Sequence, residues 1–80
     1  MYNLKKIIIV GGTGFLGYHL SQKCIKNKWQ VISLSRKKPK LFRTIEKVNY
    51  QIVDTSNKKK LNKILKKINN IDYVVNFSGE

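Results

Sequence analysis

Four glycines within seven residues follow directly after a run of β-branched residues, and this junction constrains the fold more than any other feature. The run is Ile7-Ile8-Ile9-Val10, and the glycine segment is Gly11-Gly12-Thr13-Gly14-Phe15-Leu16-Gly17. Between residues 14 and 28, larger side chains recur at three- and four-residue spacing, which predicts a helix. The sequence therefore predicts a buried strand, a tight glycine turn and a helix in immediate succession.

The glycine turn has the composition of a loop that holds phosphate groups. Gly11 or Gly12 would let the chain leave the strand with a positive φ. Gly14 would let an anion approach the backbone, and Gly17 would let the helix pack closely on the sheet. The free N–H groups at the start of the helix would then face the anion. Both G-x-G-x-x-G, from Gly12, and G-x-x-G-x-x-G, from Gly11, fit the spacing, and a glycine turn without a ligand is the alternative.

Apolar runs predict three more strands, within residues 29–34, 48–53 and 71–77. The first run of the chain and the last, Tyr73-Val74-Val75, are continuously apolar, which is typical of strands buried on both faces. The segment 36–47 is predicted to form a loop or a short helix after a turn at Pro39. The order β-α-β-(α)-β-α-β predicts a parallel sheet with right-handed crossovers.

A second amphipathic helix is predicted between residues 56 and 70. Its apolar positions recur at i, i+3, i+4 and i+7, and they are Leu61, Ile64, Leu65 and Ile68. Lysines occupy the other face. Thr55 or Ser56 is the predicted N-cap, and Asn69-Asn70 are the residues predicted to end the helix.

Composition excludes several classes of protein. Eighty residues make one small domain at most. One cysteine and one histidine can form neither an internal disulfide nor a structural zinc site from side chains alone, so no metal ligand is assigned. Since no apolar run reaches the roughly 20 residues that span a bilayer, and the first is too short for a signal peptide, we expect a cytoplasmic protein without membrane contact.

The net charge of +13, from 17 Lys and Arg against 4 Asp and Glu, suggests nucleic acid as a partner. The cations are nearly all lysine and are scattered through the chain, however, and no stripe of exposed aromatic residues alternates with them. These features argue against nucleic acid as a partner, and nucleic-acid binding is kept as a third hypothesis. It predicts an affinity for any polyanion that falls steeply with salt.

The segment Gly11–Gly17 resembles the nucleotide loop of the extended short-chain dehydrogenase/reductase superfamily, the NAD-dependent epimerase/dehydratase group. Asp54 after the third strand, Ser33-Leu34-Ser35-Arg36 at the end of the second, and Asp72–Gly79 as the fourth strand are also similar. The resemblance implies an α/β fold with the N-terminal half of a Rossmann-like sheet, in the order 3-2-1-4. Residues 1–80 would then be one incomplete NAD(P)-binding segment of a longer chain.

The same resemblance implies which residues bind the dinucleotide cofactor. They are Gly11, Gly12, Thr13, Gly14, Phe15, Leu16, Gly17, Ser35, Arg36, Lys37, Asp54, Ser78 and Gly79. A site for NAD requires a carboxylate after the second strand to bind the ribose hydroxyls, and this chain has Ser35-Arg36-Lys37 there. Because Arg36 can hold a 2′-phosphate bidentately and Lys37 adds charge, we predict NADP as the preferred cofactor and NAD as the second choice.

The Tyr-x-x-x-Lys pair that transfers protons in this superfamily has no convincing counterpart. Only Tyr2 precedes a lysine, Lys6, at that spacing, and it lies at the start of the first strand, away from the ligand edge. No catalytic residue is assigned, and a small-molecule substrate is expected only in a longer chain, with hydride transfer on a nucleotide sugar or other hydroxyl compound. The alternative is a non-catalytic nucleotide-sensing or scaffold module.

The fourth strand would leave an exposed apolar edge in such a half sheet. We therefore expect residues 1–80 alone to be marginally stable and to associate through that edge.

Overall fold

The predicted alternation of strands and helices is present in the computed structural model, which describes residues 5–77 of the chain. A single 3-10 turn, Leu41–Arg43, lies in the segment after Pro39 that was predicted to be a loop or a short helix. The helices and strands are β1 (Lys6–Val10), α1 (Phe15–Lys26), β2 (Gln30–Ser35), β3 (Asn49–Ile52), α2 (Lys58–Lys67) and β4 (Tyr73–Asn76).

The four strands form one parallel sheet in the order β3-β2-β1-β4. This confirms the predicted α/β, Rossmann-like architecture and the predicted strand order. In the register of the sheet, Ile8 of β1 lies between Ile32 of β2 and Val74 of β4. Because all strands are parallel, their carboxyl ends meet at one edge, where ligands bind in sheets of this kind.

The core consists of two apolar layers, one on each face of the sheet, and β1 contributes to both. Ile7 and Ile9 pack toward α1 around the buried thiol of Cys24, and Ile8 and Val10 pack toward α2. Full burial of an isoleucine or valine side chain contributes about 1.5–3 kcal/mol. The prediction that β1 is buried on both faces is therefore confirmed, since strands flank it and helices cover it.

β4 is not buried on both faces, and this part of the prediction is wrong. Tyr73 and Val74 are about half exposed. β4 pairs with β1 alone and lies at the edge of the sheet, so its apolar side chains have fewer neighbours than those of β1. On the α1 face, the ring of Tyr73 stacks on Trp29, with centroids 5.4 Å apart. A continuous apolar run therefore identified the strand and not its burial.

The N-cap of α2 also differs from the prediction. Asn57, rather than Thr55 or Ser56, caps the helix, because its side-chain oxygen accepts a hydrogen bond from the backbone N–H of Lys60 at 3.1 Å. The helix ends at Lys67, ahead of the predicted pair of asparagines. Of that pair, Asn70 adopts a left-handed φ of 61° in the connection to β4.

Candidate nucleotide-binding site

The glycine loop, residues 11–17, leaves β1 at the centre of the carboxyl edge. Gly11 has a φ of 79°, and its N–H donates to the carbonyl of Leu34 at 2.7 Å. Of the two positions that the sequence left open for the turn, Gly11 is therefore the one with positive φ. Gly14 is the N-cap of α1, with φ −77° and ψ −179°, an extended conformation open to any residue.

Gly12 and Gly17 are glycines because the loop, α1 and β2 are packed against one another. A Cβ on Gly17 would lie 2.5 Å from the Cα of Gly12 and 2.7 Å from its carbonyl carbon. A Cβ on Gly12 would overlap the hydroxyl of Ser33, a side chain of β2 that is fully buried beneath the loop. Gly11 thus forms the turn, and Gly12 and Gly17 allow the close packing of the loop with β2 and α1.

Gly14 faces open space. Within 4 Å of a Cβ placed there, the described residues offer only the carbonyl oxygen of Gly11, at 3.9 Å. No side chain caps α1 in the described part of the chain, and its first turn contains no acid. The first N–H groups of the helix, which lack partners inside the helix, therefore point to the space in front of Gly14.

Two large apolar side chains border this space from the first turn of α1. Phe15 and Leu16 are 60% and 62% exposed. The Phe15 ring packs edge-on against His19, with centroids 4.4 Å apart. Thr13, inside the loop, is partly buried. The first turn of α1 thus combines free backbone N–H groups with two exposed apolar side chains.

A corner that carries two cations follows β2. The Ser35 side chain is buried, and its hydroxyl donates to the carbonyl of Lys37 at 2.7 Å. This bond folds the chain tightly, so that Arg36 and Lys37 are both exposed. The structure therefore places these two cations at the carboxyl edge and gives Ser35 the role of shaping their corner.

The carboxylate of Asp54 follows β3 at the same edge. Its Oδ1 accepts hydrogen bonds from the backbone N–H of Ser56, at 3.0 Å, and from the Ser56 hydroxyl, at 2.6 Å. The Arg36 Nε lies 3.5 Å from the same oxygen. The bonds from Ser56 hold the pKa of Asp54 below its ordinary value, and the charges of Arg36 and Lys60 lower it further, so this carboxylate is ionised at neutral pH.

The edge thus brings together the glycine loop, Arg36, Lys37 and Asp54, whereas Ser78 and Gly79 lie outside the described residues. Two contributors were not predicted. Ser33 underlies the loop, and a serine in an apolar strand beside a glycine turn is a weak signal for such packing. Ser56 fixes Asp54, and the Asp-x-Ser spacing of an Asx turn is the signal that could have identified it.

The rest of residues 5–77 offers little competing chemistry. Burial raises the pKa of the Cys24 thiol, and the nearby Lys23 only partly offsets this. No group of three or more His, Cys, Asp or Glu side chains is placed to hold a metal ion in the described part of the chain. Neither α1 nor α2, the helices of this region, is long and apolar enough to cross a membrane.

Comparison with known proteins decides the family. The model of the NAD dependent epimerase/dehydratase family matches residues 7–80. The chain belongs to this family. No curated protein sequence matches this epimerase/dehydratase-family chain, but many solved structures do.

Three of these structures illustrate the likeness in fold. UDP-glucose 4-epimerase from Thermotoga maritima, with UDP-glucose, is 22% identical with a TM-score of 0.78 over 91% of this chain and 24% of its own. A short chain dehydrogenase from Leptospira borgpetersenii with bound NAD+ is 23% identical with a TM-score of 0.77, over 94% and 31%. The Bordetella bronchiseptica enzyme WbmG, with NAD and UDP, is 15% identical with a TM-score of 0.77, over 95% and 25%.

The epimerase/dehydratase-family chain thus spans less than a third of the length of each of these proteins.

Proposed function

We propose that residues 1–80 are the dinucleotide-binding segment of an NAD(P)-dependent oxidoreductase, epimerase or dehydratase, and that the segment binds the adenosine and pyrophosphate part of the cofactor. One observation carries the proposal. In a loop where two glycines are packed without space for a Cβ, Gly14 faces open space at the start of α1. That is where a pyrophosphate would meet the free N–H groups and the positive end of the helix.

The family supports this assignment, as do relatives of the same fold that hold NAD. When bound, the nicotinamide of such a cofactor accepts or returns a hydride. This chain's own contribution is to bind and orient the other half of the molecule. The pyrophosphate would lie on the glycine loop, between Phe15 and Leu16, and the adenosine would lie toward Arg36 and Asp54. Ser78 and Gly79 remain predicted contacts from the fourth strand.

In a whole protein, we infer hydride transfer on a nucleotide sugar or another hydroxyl-bearing substrate. One relative of the same fold is an epimerase with UDP-glucose bound. The proposed role of residues 1–80 includes no proton-transfer group. Tyr18, Tyr50 and Tyr73 lack a lysine four positions later, and Tyr2, which has Lys6 at that spacing, precedes the first strand and not the ligand edge.

We further infer that this chain prefers NADP, although the relatives with a named cofactor hold NAD. The support is local. The corner after β2 presents Arg36 and Lys37 to solvent and has no acid of its own. A guanidinium is the side chain best suited to a phosphate on the ribose.

Cofactor binding can be tested by calorimetric titration of the 80-residue chain with ADP, which contains the proposed adenosine and pyrophosphate. Gly14→Ala should weaken binding by about tenfold or more, a loss of about 1.4 kcal/mol, because the new Cβ fills the space of the pyrophosphate. Its circular dichroism should match that of the natural chain, since nothing crowds that Cβ, and its melting temperature should fall only slightly, because alanine is a poorer N-cap than glycine. Asn62→Ala, on the exposed face of α2, is the control. Equal affinity of Gly14→Ala for ADP would refute the proposed site.

The choice of cofactor needs a different titration. Arg36→Asp should lower the affinity for 2′,5′-ADP relative to 5′-AMP, because a carboxylate repels the 2′-phosphate that Arg36 would bind. An unchanged ratio would show that Arg36 does not select the cofactor. A random oligonucleotide, titrated at two salt concentrations, measures the binding that any polyanion would show.

A further inference from the structure

The carboxylate of Asp54 and the guanidinium of Arg36 come from neighbouring strands. β2 and β3 pair with Ser35 opposite Ile52, so the residues that follow each strand lie side by side at the carboxyl edge. The Arg36 Nε is 3.5 Å from Oδ1 of Asp54. Ion pairs between exposed side chains contribute little to stability, and both partners here are more than half exposed. The pair therefore adds little to the stability of the fold.

The two partners are not equally mobile. Ser56 donates two hydrogen bonds to Oδ1 of Asp54, from its N–H and from its hydroxyl. These bonds fix the carboxylate to the backbone of the turn that precedes α2. Arg36 has a long side chain on an exposed corner and can turn toward a ligand. A ligand that takes up Arg36 would therefore leave the negative charge of Asp54 in place beside it.

We propose that Asp54 is a specificity-determining residue, which lowers the affinity of this site for a 2′-phosphate by competing for Arg36 and by repelling the phosphate. The inference rests on the proposed function, because it assumes that the adenosine of a dinucleotide lies at this edge. A phosphate held by Arg36 would lie within a few ångströms of a fixed like charge, where repulsion is only partly screened. Asp54 thus limits the preference for NADP that Arg36 confers, and the segment binds NAD as well.

The substitution Asp54→Asn removes the charge of this side chain and keeps its shape, so it tests the proposed role of Asp54 directly. The 80-residue chain and Asp54→Asn are titrated with 5′-AMP and with 2′,5′-ADP at pH 7.5 and fixed ionic strength. Asn keeps an oxygen to accept the bonds from Ser56, so the turn is preserved. We expect the affinity for 2′,5′-ADP, relative to that for 5′-AMP, to rise about three- to tenfold.

Three further variants separate this mechanism from a general effect of charge. Glu46→Gln removes the same charge from an exposed residue before β3 that lies beside α1, and it should leave the ratio unchanged. In an Arg36→Ala background, Asp54→Asn should raise the ratio by a smaller factor, because there is no guanidinium to release. Ser56→Ala loosens the carboxylate without removing it and should raise the ratio in the same direction, less strongly.

An unchanged ratio in Asp54→Asn, with 5′-AMP still bound, would overturn this inference and leave the proposed function intact. An equal gain in Glu46→Gln, or an undiminished gain in the Arg36→Ala background, would also overturn it. If neither nucleotide binds to the natural chain, the proposed function fails and the inference fails with it. Circular dichroism of each variant confirms that a changed ratio comes from a folded chain.

Discussion

The glycines of the loop differ in what surrounds them, and substitution can separate their roles. A Cβ added to Gly17 would meet the backbone of Gly12 at 2.5–2.7 Å, whereas a Cβ added to Gly12 would meet the side chain of Ser33. The backbone of Gly12 can move only with the loop, but the side chain of Ser33 can be truncated. The two contacts should therefore respond differently to the same second mutation.

Gly12→Ala and Gly17→Ala should each destabilise the chain by about 1–3 kcal/mol, as overpacking of a core does. Ser33→Ala alone should cost little, because its buried hydroxyl has no hydrogen-bond partner among the described residues. Combined with Gly12→Ala, it should recover about 1 kcal/mol or more of the loss, since it removes the overlapping atom. Urea unfolding of the single and double variants measures these differences.

Gly17→Ala is the matched control, because Ser33→Ala does not touch the backbone atoms that it would strike. The double variant of Gly17→Ala with Ser33→Ala should therefore recover none of the lost stability. Equal recovery for both glycines would mean that the loop shifts as a unit, and the distinction between the two contacts would be wrong.

The sequence predicted the glycine loop. It did not predict which glycine has the positive φ and which glycines pack against neighbouring residues. Gly11 and Gly12 are chemically identical, so spacing alone could not decide which one has positive φ. The packing of Ser33 under Gly12 and the pairing of Arg36 with Asp54 depend on how β1, β2 and β3 lie side by side. That alignment arises from the assembled sheet, and no local pattern in the sequence specifies it.

The helix α2 has a continuous apolar face, but the charges in its first turn are unfavourable. Lys58, Lys59 and Lys60 occupy its first turn, which has no acid, so they oppose the positive end of the helix dipole. Its stability therefore depends on the apolar contacts of Leu61 and its neighbours with β1 and β2 and on the cap at Asn57. An N-cap should contribute more to helix stability where the charges of the first turn oppose the helix dipole.

Asn57→Ala should lower the free energy of unfolding by about 1 kcal/mol, because the N–H of Lys60 loses its acceptor. Asn57→Asp should instead raise it by a few tenths of a kcal/mol or more, since a carboxylate caps the same N–H and faces the lysines. Urea unfolding followed by circular dichroism gives both values. Asn62→Ala, in the same helix but exposed, controls for a general change in helix content. A neutral Asn57→Ala would show that the cap does not stabilise the helix.

The order of elements was predictable because the period of the apolar residues changes from strand to helix along the chain. Burial was not predictable in the same way. The continuous apolar run of β1 and that of β4 look alike in the sequence, yet Ile8 is fully buried and Val74 is 52% exposed. The difference comes from position in the sheet, since β1 is central and β4 is at the edge.

Two properties of the whole molecule oppose each other. The net charge of +13 makes copies of the chain repel one another in low salt. The outer side of β4 favours their association, because Tyr73 and Val74 present apolar surface on the last strand of the described sheet. On the α1 side of β4, a groove of about 340 Å³ is lined mostly by apolar residues, Trp29 and Val75 among them, with Lys23 and Asn27 as its polar members. At 0.1 M salt, repulsion between charges more than about 10 Å apart is largely screened, so the salt concentration should decide the balance.

Self-association should therefore increase with ionic strength, and sedimentation velocity of the chain between low and physiological salt measures it. Val74→Lys places a charge on the β4 edge and should suppress the salt-dependent association. Ile52→Lys adds the same charge to β3, the outer strand on the other side of the sheet, where the side chain is similarly exposed. It should suppress association less. Equal suppression by both variants would mean that net charge, and not the β4 edge, controls association. A monomer that unfolds sharply and reversibly on heating in physiological salt would contradict both the association and the marginal stability expected of this chain.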